Sequence, residues 1–239
     1  MNSYVPKPII GFEPPIYSCQ RATKPFVLDG KIDKDFWKDA PYTCDFMDIE
    51  GETKATPRFQ TRAKMLWDDE NMYFAAELIG DEIWGQVSKR DDVIFQDNDF
   101  EIFIDPDSDT HQYYEFEMNA KNTVWDLLLT KPYRDGGTAI NAWDIQGLQT
   151  AVHIDGELNN PSAKNKRWTI EAVMPFEVLK QAAKGGKPPS LGDFWRINFS
   201  RVQWKVNVVD GQFQKQTLPN TKTSLPEDNW VWAPTGVVN

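Results

Sequence analysis

Polar and apolar residues alternate along much of this chain with a period of two. In Asp99–Asp105, Phe100, Ile102 and Ile104 fall on one side, with Glu101, Phe103 and Asp105 on the other. Tyr113–Ala120 repeats the pattern, Tyr114, Phe116 and Met118 opposing Glu115, Glu117 and Asn119. Successive side chains of a strand point to opposite faces, so this alternation predicts strands with one face on a core. Ala63–Trp67, Met72–Ile79, Val124–Leu129, Leu148–Ile154, Arg167–Met174 and Phe194–Trp204 complete the set. In the last of these, Trp195, Ile197 and Phe199 take the core side. The polar link Asp68-Asp69-Glu70-Asn71 reads as a hairpin connection between two of them.

Three stretches break the alternation. Residues 1–25 carry Pro6, Pro8, Pro14, Pro15 and Pro25 and read as an extended segment crossing the surface. Leu28-Asp29-Gly30-Lys31-Ile32-Asp33 makes a tight turn, and Lys34-Asp35-Phe36-Trp37 begins a helical turn with Asp33 as its N-cap. Pro175–Ala183, opening on proline and closing on Gly185-Gly186, reads as one short helix. With no βαβ alternation, the predicted fold class is all-β. Residues 26–239 form a single antiparallel β-sandwich, jelly-roll-like or immunoglobulin-like, with one short helix.

Charge and composition remove several functions. The net charge of −10 and the lack of a basic cluster exclude nucleic-acid binding. No stretch approaches the roughly 20 apolar residues of a membrane-spanning helix. The opening residues, Met1 to Pro8, lack the apolar run of a signal peptide, which predicts a cytoplasmic protein. Secretion with the leader removed is the alternative. Cys19 and Cys44 have no metal-type spacing and read as two unpaired thiols, with a disulfide between them left open.

The candidate chemistry comes from ten tryptophans set against two histidines and two cysteines. An indole combines a flat apolar face with one N–H donor. Such a group suits a sugar, which stacks its C–H face on a ring while its hydroxyls seek carboxylates and amides. Most of the ten are expected in the core. The acidic run Asp91 to Glu101, with Phe95 inside it, lies where a strand begins and could form a rim of acceptors; a solvated acidic turn is the plainer reading. Glu115, Glu117 and Asn119, beside Glu101 on a neighbouring strand, could line a polar floor or simply face solvent. Paired carboxylates also raise glycoside hydrolysis. Asp105-Pro106-Asp107-Ser108-Asp109 places oxygens at alternate positions, as calcium requires. It lacks the glycine and glutamate of an EF-hand, and a turn in which the Asp side chains bond their own backbone is the alternative. Trp230 and Trp232, bracketed by Pro226 and Pro234, share one side in extended chain. They serve either as pre-ordered stacking rings or as an edge strand closing the core. His111 and His153 have no metal-motif spacing.

Leu28-Asp29-Gly30-Lys31-Ile32-Asp33…Trp37, Met65-Leu66-Trp67-Asp68-Asp69-Glu70-Asn71-Met72-Tyr73-Phe74, Asp97-Asn98-Asp99-Phe100-Glu101-Ile102-Phe103-Ile104-Asp105 and Asn229-Trp230 occur in an order that resembles family 9 carbohydrate-binding modules and family-9-like domains. The resemblance implies a β-sandwich that binds glucose, xylose or oligosaccharide ends between two aromatic rings, serving polysaccharide catabolism beside glycoside hydrolases. Calcium bracing the loops is implied too, with Asp105, Asp107 and Asp109 as its expected ligands. Glu101 matches the sugar-binding glutamate, Asn119 the binding asparagine and Trp230 the second ring, with Trp232 beside it. Phe95 stands where the first tryptophan is expected, with Trp84 as its substitute, and Glu117 stands where the modules place an arginine. A sister family binds haem through methionine and histidine. Only His153 with Met65 or Met118 could serve that role, and their spacing does not support it. The remaining alternative is a structural or protein-interaction sandwich.

Overall fold

The computed structural model describes residues 13–237. The strands are β1 (Gln20–Arg21), β2 (Met47–Asp48), β3 (Thr61–Trp67), β4 (Asn71–Ile79), β5 (Asp99–Asp105), β6 (Tyr113–Asn119), β7 (Val124–Leu129), β8 (Ala139–Ile140), β9 (Gln149–Asp155), β10 (Arg167–Pro175), β11 (Arg196–Gln203), β12 (Val206–Val209), β13 (Gln212–Lys215) and β14 (Asp228–Val231). One short helix, α1 (Phe176–Leu179), follows β10 directly. The strands make two sheets, ordered β1-β3-β4-β10-β9 and β2-β14-β11-β5-β6-β7-β8, plus the hairpin β12-β13. All pairs are antiparallel except β1 with β3.

The two sheets share one core, built as the alternation requires. Met65, Phe74, Ala76, Leu78, Ile170 and Ala172 come from the five-stranded sheet; Phe100, Ile102, Ile104, Tyr114, Phe116 and Met118 come from the other. Phe199 is its hub. Its ring lies 5.7 Å from Phe100, 6.1 Å from Phe74, 6.3 Å from Phe46 and 5.8 Å from Trp232. Aromatic rings bury large areas and gain further from such offset contacts.

A second, smaller core lies on the outer face of the five-stranded sheet. There Ile32, Phe36, Trp37 and Ala40 cover Leu66, Tyr73, Ala75 and Val173. Glu171 of β10, fully buried beneath them, ties the covering segment down. Its carboxylate accepts the Gly30 N–H at 2.8 Å and the Trp37 indole N–H at 2.6 Å, and pairs with Lys34 at 2.7 Å. Gly30 has a φ of +76°, and a Cβ there would meet the backbone of Val152 and His153 at 2.5 Å. Only glycine fits this turn.

The eight predicted strands are all present, with limits that agree or differ by one or two residues. Three details differ. The helical turn Asp35–Trp37 is a 3-10 turn whose N-cap is Lys34, because the Asp33 carboxylate is taken by Arg167 at 2.5 Å. Within the proline-rich lead segment, Gln20–Arg21 adds a parallel edge strand to β3; residues 1–12 of that segment lie outside the described residues. The β12-β13 hairpin was not anticipated from alternation, although its Asp210-Gly211 turn, both residues at positive φ, is a strong hairpin signal. Cys19 and Cys44 are unpaired thiols. Among the described residues no helix is long and apolar enough to cross a membrane.

Replacing Glu171 with alanine should leave the buried Gly30 N–H and Trp37 indole N–H without an acceptor, while Lys34 keeps Asp29. A loss of roughly 2–5 kcal/mol is expected, at about 1–3 kcal/mol for each buried donor left unsatisfied. The urea midpoint, read at unchanged slope, measures it. A loss below about 1 kcal/mol would show that the segment is held by its apolar contacts alone.

Candidate functional site

Register decides what lies on the outer face of the seven-stranded sheet. Because Phe100, Ile102 and Ile104 face the core, Asp99, Glu101 and Phe103 face outward. On β6 the same rule turns Tyr113, Glu115, Glu117 and Asn119 outward. Glu101 pairs directly with Glu117, Phe103 with Glu115 and Asp99 with Asn119. On the flanking strands, Ser200 stands opposite Glu101 and Trp125 opposite Glu117. Four carboxyl groups therefore share one patch of two adjacent strands, and all four are buried.

Their electrostatics follow from that crowding. Burial raises Asp99 well above its ordinary value, with Glu101 and Glu117 adding repulsion. Glu117 is raised in the same way, by burial first and then by Glu101 and Glu115. Burial also lifts Glu101 to about 7, against a Ser200 hydrogen bond that lowers it, and lifts Glu115 to about 8. No lysine, arginine or histidine appears among the groups that shift these four.

Aromatic side chains roof the patch. Ile94–Gln96 forms a 3-10 turn that brings Phe95 over the sheet, where its N–H donates to Glu117 Oε2 at 3.1 Å. The Phe95 ring stacks on Trp125, centroids 6.5 Å apart at 29°. Trp204 donates its indole N–H to the Phe95 carbonyl at 2.9 Å. Trp84 packs with Val202 and Trp204 beside it. Lys215 places its ammonium 3.3 Å from the centre of the Trp204 ring. Tyr133, largely exposed, donates to Glu115 Oε2 at 3.3 Å. Asp99 Oδ2 and the indole N–H groups of Trp84 and Trp125 are enclosed and without a hydrogen-bond partner. Buried polar groups are normally satisfied, so three orphans in one neighbourhood need a physical cause.

Of the residues singled out from sequence, Glu101, Glu117, Phe95 and Trp84 fall in this neighbourhood. Asn119 is adjacent but fully used. Its Nδ2 donates to the Val87 carbonyl and Asp97 Oδ2, and its Oδ1 accepts from Lys121 and Thr123. Trp230 and Trp232 do not join the site. Trp230 pairs with Arg201, whose other neighbour is Phe100, so its ring turns inward. It is only 3% exposed and lies between the guanidinium groups of Arg58 and Arg201, at 5.5 and 5.3 Å. Trp232, 6% exposed, packs against Phe199 with the rings tilted at 40°. The segment is thus a strand between β2 and β11 whose rings close the core. Sequence reading passed over Trp125, whose place depends on cross-strand register. Asp99 it noted only within an acidic run, although position two before Glu101 puts both on one face.

Elsewhere, Asp105, Asp107 and Asp109 do come together, one oxygen from each lying within 4.8 Å of the others. Asp105 also accepts the Ser108 and Thr110 N–H groups at 3.0 and 2.9 Å. Met65 and Met118 are core residues, whereas His153 faces outward against Asp155 at 3.1 Å, so no methionine–histidine pair forms. Surface cavities of about 210 and 200 Å³ lie away from the carboxyl patch.

A carboxyl group raised on folding holds a proton that the unfolded chain has released. Stability is therefore favoured near the ordinary value of 4.5 and falls as pH rises through about 7 for Glu101 and about 8 for Glu115. In chelator, the melting temperature should decline between about pH 5 and about pH 8. A flat profile over that window would mean that the four carboxyls are solvated.

The family model described as carbohydrate family 9 binding domain-like matches residues 28–186, more than half of the chain. A family 9 carbohydrate binding module from Caldicellulosiruptor kristjanssonii, solved with cellotriose, is 16% identical with a TM-score of 0.52, covering 91% of this chain and 89% of that one. A protein from Bacteroides uniformis proposed to bind carbohydrate is 12% identical with a TM-score of 0.57, covering 92% and 90%. The glucose complex of the Caldicellulosiruptor module gives 16% and 0.50, covering 91% and 90%. No curated protein matches. At such identities the structures establish the shared fold, and the family model establishes the kinship. The chain belongs to the carbohydrate family 9 binding domain-like family, whose character is recognition of carbohydrate rather than its chemical conversion.

Proposed function

We propose that this protein recognises a mono- or oligosaccharide on the outer face of the seven-stranded sheet. The stacked pair Phe95 and Trp125 is the apolar platform, and Glu101, Glu115 and Glu117 are the hydroxyl-binding groups. The observation that carries this reading is an aromatic stack beside Glu117, whose carboxyl group accepts the Phe95 N–H, on a domain of a carbohydrate-binding family. A sugar needs both components, an apolar face for its C–H groups and acceptors for its hydroxyls. Carboxyls lifted toward neutrality also donate, which widens the hydroxyl patterns they can meet. Trp84 lies behind Phe95 and supports the platform.

Calorimetry with glucose, xylose and short glucan and xylan oligomers tests the proposal. Phe95→Ala and Trp125→Ala should each weaken binding by roughly tenfold or more, about 1.4 kcal/mol. Trp230→Phe should leave affinity unchanged, since that ring is in the core. Absence of heat with every sugar, in folded protein, would overturn the reading. Product analysis of the same mixtures decides against hydrolysis if the sugars are recovered intact. Release of reducing ends that disappears in Glu101→Gln or Glu117→Gln would instead favour it.

The same proposal includes calcium at Asp105, Asp107 and Asp109. The residues fit a cation that accepts six to eight oxygens in flexible geometry, and bound calcium would relieve the repulsion of three close carboxylates. Backbone N–H groups already hold Asp105, so the ion adds stability rather than shape. An ion that binds only the folded chain stabilises it by roughly 2.7 kcal/mol at a hundredfold excess over Kd. Added calcium should raise the melting temperature, chelator should reverse it, and Asp107→Asn should remove most of this turn's share.

A further inference from the structure

We infer that Asp99, Glu101 and Glu117 hold a second divalent cation, of the hard, oxygen-seeking kind represented by calcium, beneath the aromatic roof. One oxygen from each of the three lies within 4.8 Å of the others. Oxygens bound to one calcium at 2.3–2.6 Å can be no more than about 5 Å apart, so this spacing is what a shared ion allows. The donors are all carboxylate oxygens, with no sulfur or imidazole, which favours calcium, magnesium or manganese over zinc or copper.

How the protein treats its other buried acids sharpens the argument. Glu171 is met by Lys34, an indole and backbone N–H groups. Glu77 is met by Arg62 and Arg167, Asp126 by Arg90 and the Ile145 N–H. Asp97 receives the Gln86 and Val87 N–H groups and the Asn119 amide. The three outer-face acids have only a weak set: Val202 N–H to Asp99 Oδ1 at 3.3 Å, Phe95 N–H to Glu117 and the Ser200 interaction with Glu101. Asp99 Oδ2, in a side chain with no solvent exposure, has no partner at all. Lys215, the cation over the roof, is spent on the Trp204 ring and on Gln96. Isolated buried carboxylates are costly without a counter-charge. A +2 ion supplies what no side chain here does. The few N–H contacts that exist then orient the carboxylates, leaving their remaining oxygens toward one point.

This inference shares Glu101 and Glu117 with the sugar reading but rests on other observations, and its test separates the two. Chelator-stripped full-length protein and the variants Asp107→Asn, Asp99→Asn and Glu117→Gln are melted with calcium, magnesium or manganese. Terbium is titrated as a luminescent probe, with Trp125 beside Glu117 as the sensitiser. Asp107→Asn, with the exposed turn disabled, should still bind one ion per chain. Its melting temperature should rise by roughly 5–10 °C at a hundredfold excess. Asp99→Asn and Glu117→Gln should lose this rise and the sensitised emission. Both should melt at or above the stripped wild type in chelator, because each removes a repelling charge, and that result verifies folding. No cation response in Asp107→Asn, or a response unchanged by Asp99→Asn and Glu117→Gln, overturns the site and assigns the carboxyls to shared protons. Sugar binding that persists in that case leaves the proposed function standing.

Discussion

A strand cannot choose a side for one residue without choosing for all its neighbours. Once Phe100, Ile102 and Ile104 of β5 are committed to the core between the sheets, Asp99, Glu101 and Phe103 are forced onto the other face. β6 repeats the constraint with Tyr114, Phe116 and Met118 against Glu115 and Glu117. Direct pairing of Glu101 with Glu117 then sets acid against acid across the ladder, an arrangement that destabilises a sheet unless something compensates. The hydrophobic core and the acidic patch are thus two sides of one commitment. A one-residue slip of register would turn the aromatic core out into water along with the patch.

Each sheet consequently has an outer face that must be managed, and the two are managed differently. On the five-stranded sheet the protein supplies its own cover, Ile32 to Ala40, and its own counter-charge, Lys34 on Glu171. That face is closed by protein groups. On the seven-stranded sheet the cover is aromatic and the acids have no basic partner. One face reads as finished structure and the other as structure with a component left to be added. The proposed site lies on the second face because of this asymmetry, which rests on satisfaction of polar groups rather than on the size of any cavity.

Much of this was legible in the sequence because period-two alternation survives intact in the central strands. The limits of β5 and β7 agree with their predicted ones, and Glu101 with Glu117 on one polar side followed from the pattern alone. What alternation cannot give is which side a short segment turns inward. Trp230 and Trp232 do share a face, but only pairing with Arg201, itself opposite Phe100, shows that it is the inner one. Cross-strand register likewise decides that Trp125 meets Glu117. Asn119 looked like a free amide and is consumed by four local hydrogen bonds, a use that depends on where residues 86–87 and 121–123 pass. The resemblance to family 9 modules carried the fold correctly, while its aromatic correspondence at Trp230 met a residue used for packing.

The Glu171 anchor also bears on the order in which the molecule is made. It joins residues separated by 141 positions, Gly30 to Glu171. Closing so long a loop is entropically unfavourable, by about 0.6 kcal/mol for each doubling of length, until the contacts it allows are formed. The surface on which Phe36 and Trp37 settle joins Leu66, Tyr73 and Ala75 to Val173, so it is complete only after β10 has left the ribosome. The segment is therefore anchored only once the 141 positions from Gly30 to Glu171 have been made. Until then its three neighbouring aromatic rings, Phe26, Phe36 and Trp37, have only Leu66, Tyr73 and Ala75 of the β3-β4 hairpin to cover, and the emerging chain carries a half-sheltered apolar patch that a chaperone or a prolonged translational pause would meet before the finished fold hides it.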